Sequence, residues 1–361
     1  MIAGTKVLCQ VVQVRPLELI VSLPNQLLGH IPITNISPEF TARLEAAGEE
    51  SSDEEDEEEE EDSDEEEDEA KSAKGLPGLP ALFHPGQWVV AAVVSSKSSD
   101  SKMKLGGRDG DESVRASRRI ELSLEPEKVN EGIAKGDLKR GFTLPAAVHD
   151  VEDGGYTLSF GLPSLSSFLP FADAKKLSPT RPLHVGQVVL CRITKMHDNE
   201  RTVSVTVEKA DLAATTLDSV SSITSLLPLQ LVPALVTAVL PSGLNVKFHG
   251  FYDGTIDRFH LPVSAGDDLA DHYKQGQKIK ARLLWDSIAT TPKKFALSMA
   301  PHIIKLDEST ELEKTYTVGK QCKRVKVLAL DDEWGLTCEI LPDQPQADQA
   351  RGVSAFVHVS F

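Results

Sequence analysis

Gly86-Gln87-Trp88-Val89-Val90-Ala91-Ala92-Val93-Val94 returns as GQVVLCRIT at 186–194 and as GQKIKARLL at 276–284. Each copy is the fourth strand-like segment of a longer unit. The units open on TKVLCQVVQV at Thr5, FTLPAAVHDV at Phe142 and LVPALVTAVL at Leu231. LELIVSL, YTLSFGL and LNVKFHG follow, from Leu17, Tyr156 and Leu244. Third segments are GHIPITNI, SFLPFADA and GTIDRFHL, from Gly29, Ser167 and Gly254. The units close on RRIELSLEP, RTVSVTVEK and KFALSMAPH, from Arg118, Arg201 and Lys294. A fourth copy opens at Val318 and breaks off at Phe361, which reads as a fragment or an incomplete product. Repeats of this length that alternate with period 2 predict five short strands per unit. No long 3.6-period stretch supplies crossover helices, so an α/β fold is disfavoured. Five strands with one irregular excursion before the fourth fit a small closed barrel, because closure removes exposed sheet edges. The Gly before each fourth strand is expected to make the tight bend of a barrel corner.

The order G-x-x-V, G-F-V-H-x-S, F-x-x-G-Q-x-V and R-x-I-x-L-S resembles the S-one RNA-binding domain, an OB-fold barrel. Its best pieces are Ala355-Phe356-Val357-His358-Val359-Ser360, Phe83-His84-Pro85-Gly86-Gln87-Trp88-Val89 and Arg119-Ile120-Glu121-Leu122-Ser123-Leu124. The expected class is therefore all-β, with tandem S-one-type OB barrels at residues 1–130, 136–210 and 222–303 and an incomplete one at 315–361. An acidic disordered insertion is expected at 45–75. The first repeat, with its acid-rich interruption, resembles the amino-terminal part of the large multi-repeat S-one family of nucleolar ribosomal RNA-processing proteins. That resemblance implies a nuclear, nucleolar factor of small-subunit pre-ribosome assembly. Its implied partners are single-stranded segments of precursor ribosomal RNA and other assembly factors.

OB barrels bind single strands with aromatic platforms and a basic groove. The resemblance implies platforms in the second strand and the G-F-V-H box, which points to Tyr156, Phe168, Phe356 and His358. Tyr156 follows Gly154-Gly155 and is expected to face outward. The box holds His30 and Pro32 in repeat one, Pro170 in repeat two, and Thr255 and Asp257 in repeat three, while Leu336 replaces the second-strand aromatic of repeat four. Repeat three therefore reads as eroded. Core or rim packing competes for each aromatic, and Trp88 and Trp285 are expected in the core.

Charge supplies the second clue. The formal net charge is −17, yet residues 49–69 hold 18 acidic residues and no basic one, leaving 38 basic against 37 acidic elsewhere. The folded part is near neutral, and the acidic run is a solvated tract. Seven Lys or Arg against four acids lie at 97–119, joining strands four and five of the first barrel. Lys102, Lys104 and Arg108 in that segment, Lys139 and Arg140 before repeat two, and Lys323, Arg324 and Lys326 in repeat four are candidate phosphate contacts. Ordinary solvated charge is the competing reading for any one of them. Short linkers between weak barrels are expected to add affinity through effective concentration. Ser51, Ser52 and Ser63 each precede an acid by three residues, the pattern acidophilic kinases prefer.

Other classes recede. The longest apolar run, Trp88 to Val94, falls far short of the ~20 residues of a membrane span. MIAGTKVLCQ lacks the layout of a secretory signal. Cys9, Cys191, Cys322 and Cys338 are far apart, have no metal-ligand spacing, and are expected to be buried small hydrophobes. No phosphate-cradling loop, H-E-x-x-H or nucleophile elbow is present. The expectation is a non-enzyme with no catalytic residue, metal, cofactor or small-molecule substrate. A protein-interaction scaffold with degenerate RNA surfaces is the alternative.

Overall fold

A computed structural model of the chain describes residues 2–24, 27–53, 77–96, 119–163, 165–177, 181–197, 201–263, 267–287, 293–309, 315–317, 319–331, 335–341 and 353–358. The first barrel comprises β1 (Lys6–Val14), β2 (Glu18–Ser22), β3 (Leu28–Pro32), β4 (Trp88–Ser96) and β5 (Ile120–Ser123). The second comprises β6 (Thr143–Glu152), β7 (Gly155–Ser159), β8 (Ser166–Pro170), β9 (Val188–Met196) and β10 (Thr202–Thr206). The third comprises β11 (Leu231–Leu240), β12 (Gly243–Phe248), β13 (Tyr252–Asp257), β14 (Lys278–Ser287) and β15 (Lys294–Ser298). Each runs 1-2-3-5-4 and closes between its first and fourth strands, with the third and fifth parallel and the other pairs antiparallel. These are OB-fold barrels, and the fold is all-β. The fourth unit contributes a sheet of β16 (Val325–Asp331), β17 (Gly335–Ile340) and β18 (Val353–His358).

The Gly-Gln repeat has one geometry in all three barrels. Gly86, Gly186 and Gly276 have φ of 88°, 85° and 83°, a left-handed bend that disfavours other residues. Their amides donate to Val11, Val148 and Val236 at 2.7–2.8 Å. The following Gln folds its side chain back, so that Oε1 of Gln87, Gln187 and Gln277 accepts from the amide three residues earlier, at 3.0–3.2 Å. The pair thus turns the chain and satisfies an otherwise loose amide at the corner. A register shift recurs midway along each first strand, after Val11, Val148, Val236 and Val327. Such a bulge tightens the local twist, as a small barrel requires.

The barrels interlock. β1 of the first pairs with β14 of the third at Val7 and Trp285, and the Lys6 amide donates to Asp286 Oδ1 at 3.1 Å. Helix α1 (Pro38–Asp53) is capped by Ser37, whose Oγ accepts from the Phe40 amide and donates to the Gly186 carbonyl of the second barrel at 2.8 Å. Phe40 lies against Gly186 so closely that a Cβ there would stand 2.5–2.7 Å away. Outside the barrel interiors, Leu8, Trp88, Val90, Ala92, Leu284 and Ile303 form a separate buried cluster. β4 is therefore apolar on both faces because one lines its barrel and the other lines this junction. Arg282 is fully buried there, donating to the Leu229, Ala213 and Ile304 carbonyls, and burial brings its guanidinium down to about 10.

Three expectations change. Residues 45–53 of the acidic stretch are the end of α1, so the insertion is helical through Asp53, while 54–76 lie outside the described residues. Cys322 is exposed ahead of β16, because it precedes the first strand of its unit. Trp285 is only partly buried, at the β1–β14 seam, and buried Trp88 packs between barrels, its Nε1 donating to the Asp307 carbonyl at 2.9 Å. Cys9, Cys191 and Cys338 are buried, and burial pushes the Cys9 thiol up to about 12. Among the described residues no helix is long and apolar enough to cross a membrane.

Candidate nucleic-acid interface

Strand pairing decides which side chains share the outer wall of each barrel. In the second barrel Tyr156 lies opposite Leu169, and Thr157 opposite Phe168. Tyr156, Leu158 and Leu169 point into the core. The outward position expected of Tyr156 is therefore incorrect: its ring is 4% exposed and packs edge-on against Phe171 at 5.0 Å. Its hydroxyl accepts from the Leu183 amide at 3.1 Å, giving the buried phenol a partner. A base has no access to it.

Phe168 is 42% exposed on the outer wall. Its neighbour at the start of β7 is a glycine pair: a Cβ on Gly155 would lie 2.8 Å from Phe168 Cζ, and one on Gly154, just before the strand, would lie 3.6 Å away. The bare backbone gives the ring a floor without side chains and leaves it open to solvent. Thr202 and Val203 of β10 pair with Ser166 and Ser167, so Ser204 falls beside Phe168, and Ser204 in turn pairs with Lys195. The register thus places Thr157, Phe168, Ser204 and exposed Lys195 in one row across four strands. Glu152 is the opposing feature, accepting from Thr157 Oγ1 at 2.6 Å at the edge of this wall.

The same register recurs in the fourth unit, where Thr337 faces Phe356 and Gly335 faces His358. Lys323 and Lys326 are exposed there, and Arg324 is partly buried. Lys139 and Arg140 are exposed on the segment entering β6. Beside them, Asp137 accepts from Ser221 and Ser225. Burial alone would raise its carboxyl, but these hydrogen bonds and Lys139 hold it below the usual value. Ser51 and Ser52 lie on α1, while Lys102, Lys104, Arg108 and Ser63 lie outside the described residues.

In the third barrel Leu244 is buried and faces Ile256, whereas the outer pairs are Asn245–Thr255 and Lys247–Asp253. Leu244 and Thr255 therefore lie on opposite faces of the barrel wall. Phe251, 68% exposed at the β12–β13 turn, and exposed Phe259 escaped the reading because neither occupies a box position. In the first barrel the equivalent outer pairs are Ile20–His30 and Glu18–Pro32. Here Glu18 meets Arg15 at 2.7 Å, His30 at 3.2 Å and Arg119 at 3.7 Å. Burial acts to raise its carboxyl, but these partners outweigh it and hold it below the ordinary value. Among the described residues no cluster of three or more His, Cys, Asp or Glu could hold a metal.

No protein-family model matches the chain. The rRNA biogenesis protein rrp5 of Schizosaccharomyces pombe is 29% identical over 362 residues, covering 99% of this chain. Protein RRP5 homolog of Homo sapiens is 31% identical over 288 residues, covering 78% of it. This chain is homologous to part of the RRP5 rRNA biogenesis proteins. The rRNA biogenesis protein RRP5 of Arabidopsis thaliana is likewise similar, at 27% over 305 residues and 83% of the chain. The chain spans 19%, 13% and 14% of the length of these three RRP5 relatives, so the match is to a portion of each. A multidomain protein with nucleic acid binding domains from Streptococcus pneumoniae aligns over 83% of this chain and 74% of its own, at 13% identity and a TM-score of 0.18. Drosophila Unr CSD456 aligns over 81% and 94%, at 9% identity and a TM-score of 0.15. At such TM-scores the OB assignment rests on this chain's own strand order.

Proposed function

We propose that this chain is a non-catalytic, RNA-binding part of a ribosome biogenesis factor. It binds single-stranded precursor ribosomal RNA in the nucleolus during small-subunit pre-ribosome assembly, alongside other assembly factors. The observation that supports this reading best is Phe168, open to solvent over the Gly154-Gly155 backbone in a row that ends on Lys195. An aromatic face with a flanking cation stacks a base and neutralises a phosphate without reading sequence, and the names of the RRP5 relatives supply the class of RNA. Phe356 and His358, with Lys323, Arg324 and Lys326, are the matching candidates in the fourth unit. Lys139, Arg140, Lys102, Lys104 and Arg108 are candidate phosphate contacts.

The test is an anisotropy titration of the whole chain with a single-stranded pyrimidine-rich RNA. Phe168→Ala is expected to weaken binding by roughly tenfold, since one stacked base contributes about 1–3 kcal/mol. Binding absent at low salt would defeat the reading. The scaffold alternative draws on the third barrel, where Asp253, Thr255 and Asp257 line the outer face of β13 and Phe251 protrudes. Carboxylates repel phosphates, and an exposed aromatic suits a protein partner.

A further inference from the structure

We infer that Glu18 is a built-in surrogate for an RNA phosphate, holding the cation cluster of the first barrel closed until RNA displaces it. This rests on the RNA-binding reading and adds a regulatory element to it.

Glu18 opens β2 on the outer wall and faces Pro32, one outward step from the Ile20–His30 pair. That pair occupies the register position of Thr157–Phe168 in the second barrel. The carboxylate therefore stands on the outer wall beside the position that Phe168 holds in the second barrel. Its two oxygens divide two guanidinium groups and an imidazole, Arg15 on Oε1 and His30 and Arg119 on Oε2, much as the free oxygens of a phosphate would. Both arginines are about half exposed, whereas Glu18 and His30 are mostly covered. The cations can thus reach solvent while the anion between them is enclosed. Arg119 is the last residue of the basic stretch 97–119 in the sequence. A backbone phosphodiester carries one negative charge on two free oxygens, as a carboxylate does, and Arg meets either in a matching fork. An RNA strand brings many such phosphates and releases counterions on binding, so it is the stronger ligand for the cluster, and the single intramolecular carboxylate is the weaker one already in place.

The experiment uses the full chain and a single-stranded pyrimidine RNA at ~50 and ~200 mM salt. Glu18→Gln is expected to tighten binding by roughly fivefold at the lower salt. Freeing two arginines should steepen the slope of log affinity against log salt by roughly 1.4. Adding Arg15→Met and Arg119→Met to that variant should remove both gains. Asp253→Asn, which removes the same charge from the third barrel, should give neither. Glu18→Ala serves as a second variant, and thermal melts establish that each protein is folded. Unchanged affinity for Glu18→Gln, with Phe168→Ala still weakening the wild type, overturns the surrogate and leaves the RNA reading intact. Equal tightening by Asp253→Asn also overturns it, as a plain net-charge effect. Failure of every variant and the wild type to bind overturns both readings.

Discussion

Phe168 and Tyr156 belong to adjacent strands, yet they lie on opposite sides of one barrel wall. Phe168 faces solvent beside Thr157, and Tyr156 faces the core beside Leu169. Their truncations should therefore separate. Tyr156→Ala is expected to destabilise the protein by about 3–5 kcal/mol, as for other large buried aromatics. Phe168→Ala should stay within about 0.5 kcal/mol, as at a surface position. Urea denaturation followed by circular dichroism measures both, and comparable losses would contradict the assignment of faces.

The Gly-Gln corners give a second contrast. Gly276 has open space where a Cβ would go, so Gly276→Ala carries only the left-handed backbone penalty of roughly 1–2 kcal/mol. Gly186→Ala carries the same penalty and also drives a methyl into Phe40. It should be clearly the more damaging, and limited proteolysis should show α1 released from the second barrel. Equal stability of the two variants would mean that the first two barrels do not meet at Phe40.

The seam between the first and third barrels is sensitive to pH. Burial brings the Lys6 ammonium down to about 8, against the pull of Asp286. The unfolded chain keeps that proton to about 10.5, so between these values it binds more protons than the folded chain. Stability from this group therefore rises with pH across that window, and protonated Lys6 costs stability below it. Lys6→Met should raise stability at pH 7 by on the order of 1–2 kcal/mol, with the advantage shrinking by pH 10. A loss of stability at pH 7 in denaturant titrations would contradict this. Asp286→Ala should do the opposite, because it leaves Lys6 and Lys293 without their shared carboxylate.

Ser51 and Ser52 lie in the last turn of α1, which has no basic residue. Phosphorylation there would add about −1.5 to −2 charges per site at the negative end of the helix dipole. The end of α1 should fray, and hydrogen exchange over residues 45–53 should quicken on treatment with an acidophilic kinase. Unchanged exchange would contradict that expectation.

The barrels were legible because their determinants are local and repeated. A Gly-Gln corner and period-2 alternation recur within each unit. The outer wall was only half legible. Tyr156, Leu158 and Phe160 are spaced by two and mark a single apolar face, but the family's second-strand aromatic, matched to Tyr156, grouped it with Phe168. Pairing register, which puts Thr157 opposite Phe168, is not visible in either strand alone. The packing of the barrels had one signal, the run Trp88 to Val94, whose continuous apolarity means burial on both faces. Nothing local foretells that Gly186 meets Phe40 or that Val7 meets Trp285. The interlocked barrels carry Phe168 and the Glu18 cluster on one body.

The central claim is that Phe168 is the base-stacking platform of an RNA-binding wall. Crosslinking 4-thiouridine RNA to the whole chain and mapping the adducts by mass spectrometry tests it most directly. The account predicts adducts on the peptide that carries Phe168, lost in Phe168→Ala. Adducts confined to the third barrel, or undiminished in Phe168→Ala, would contradict it.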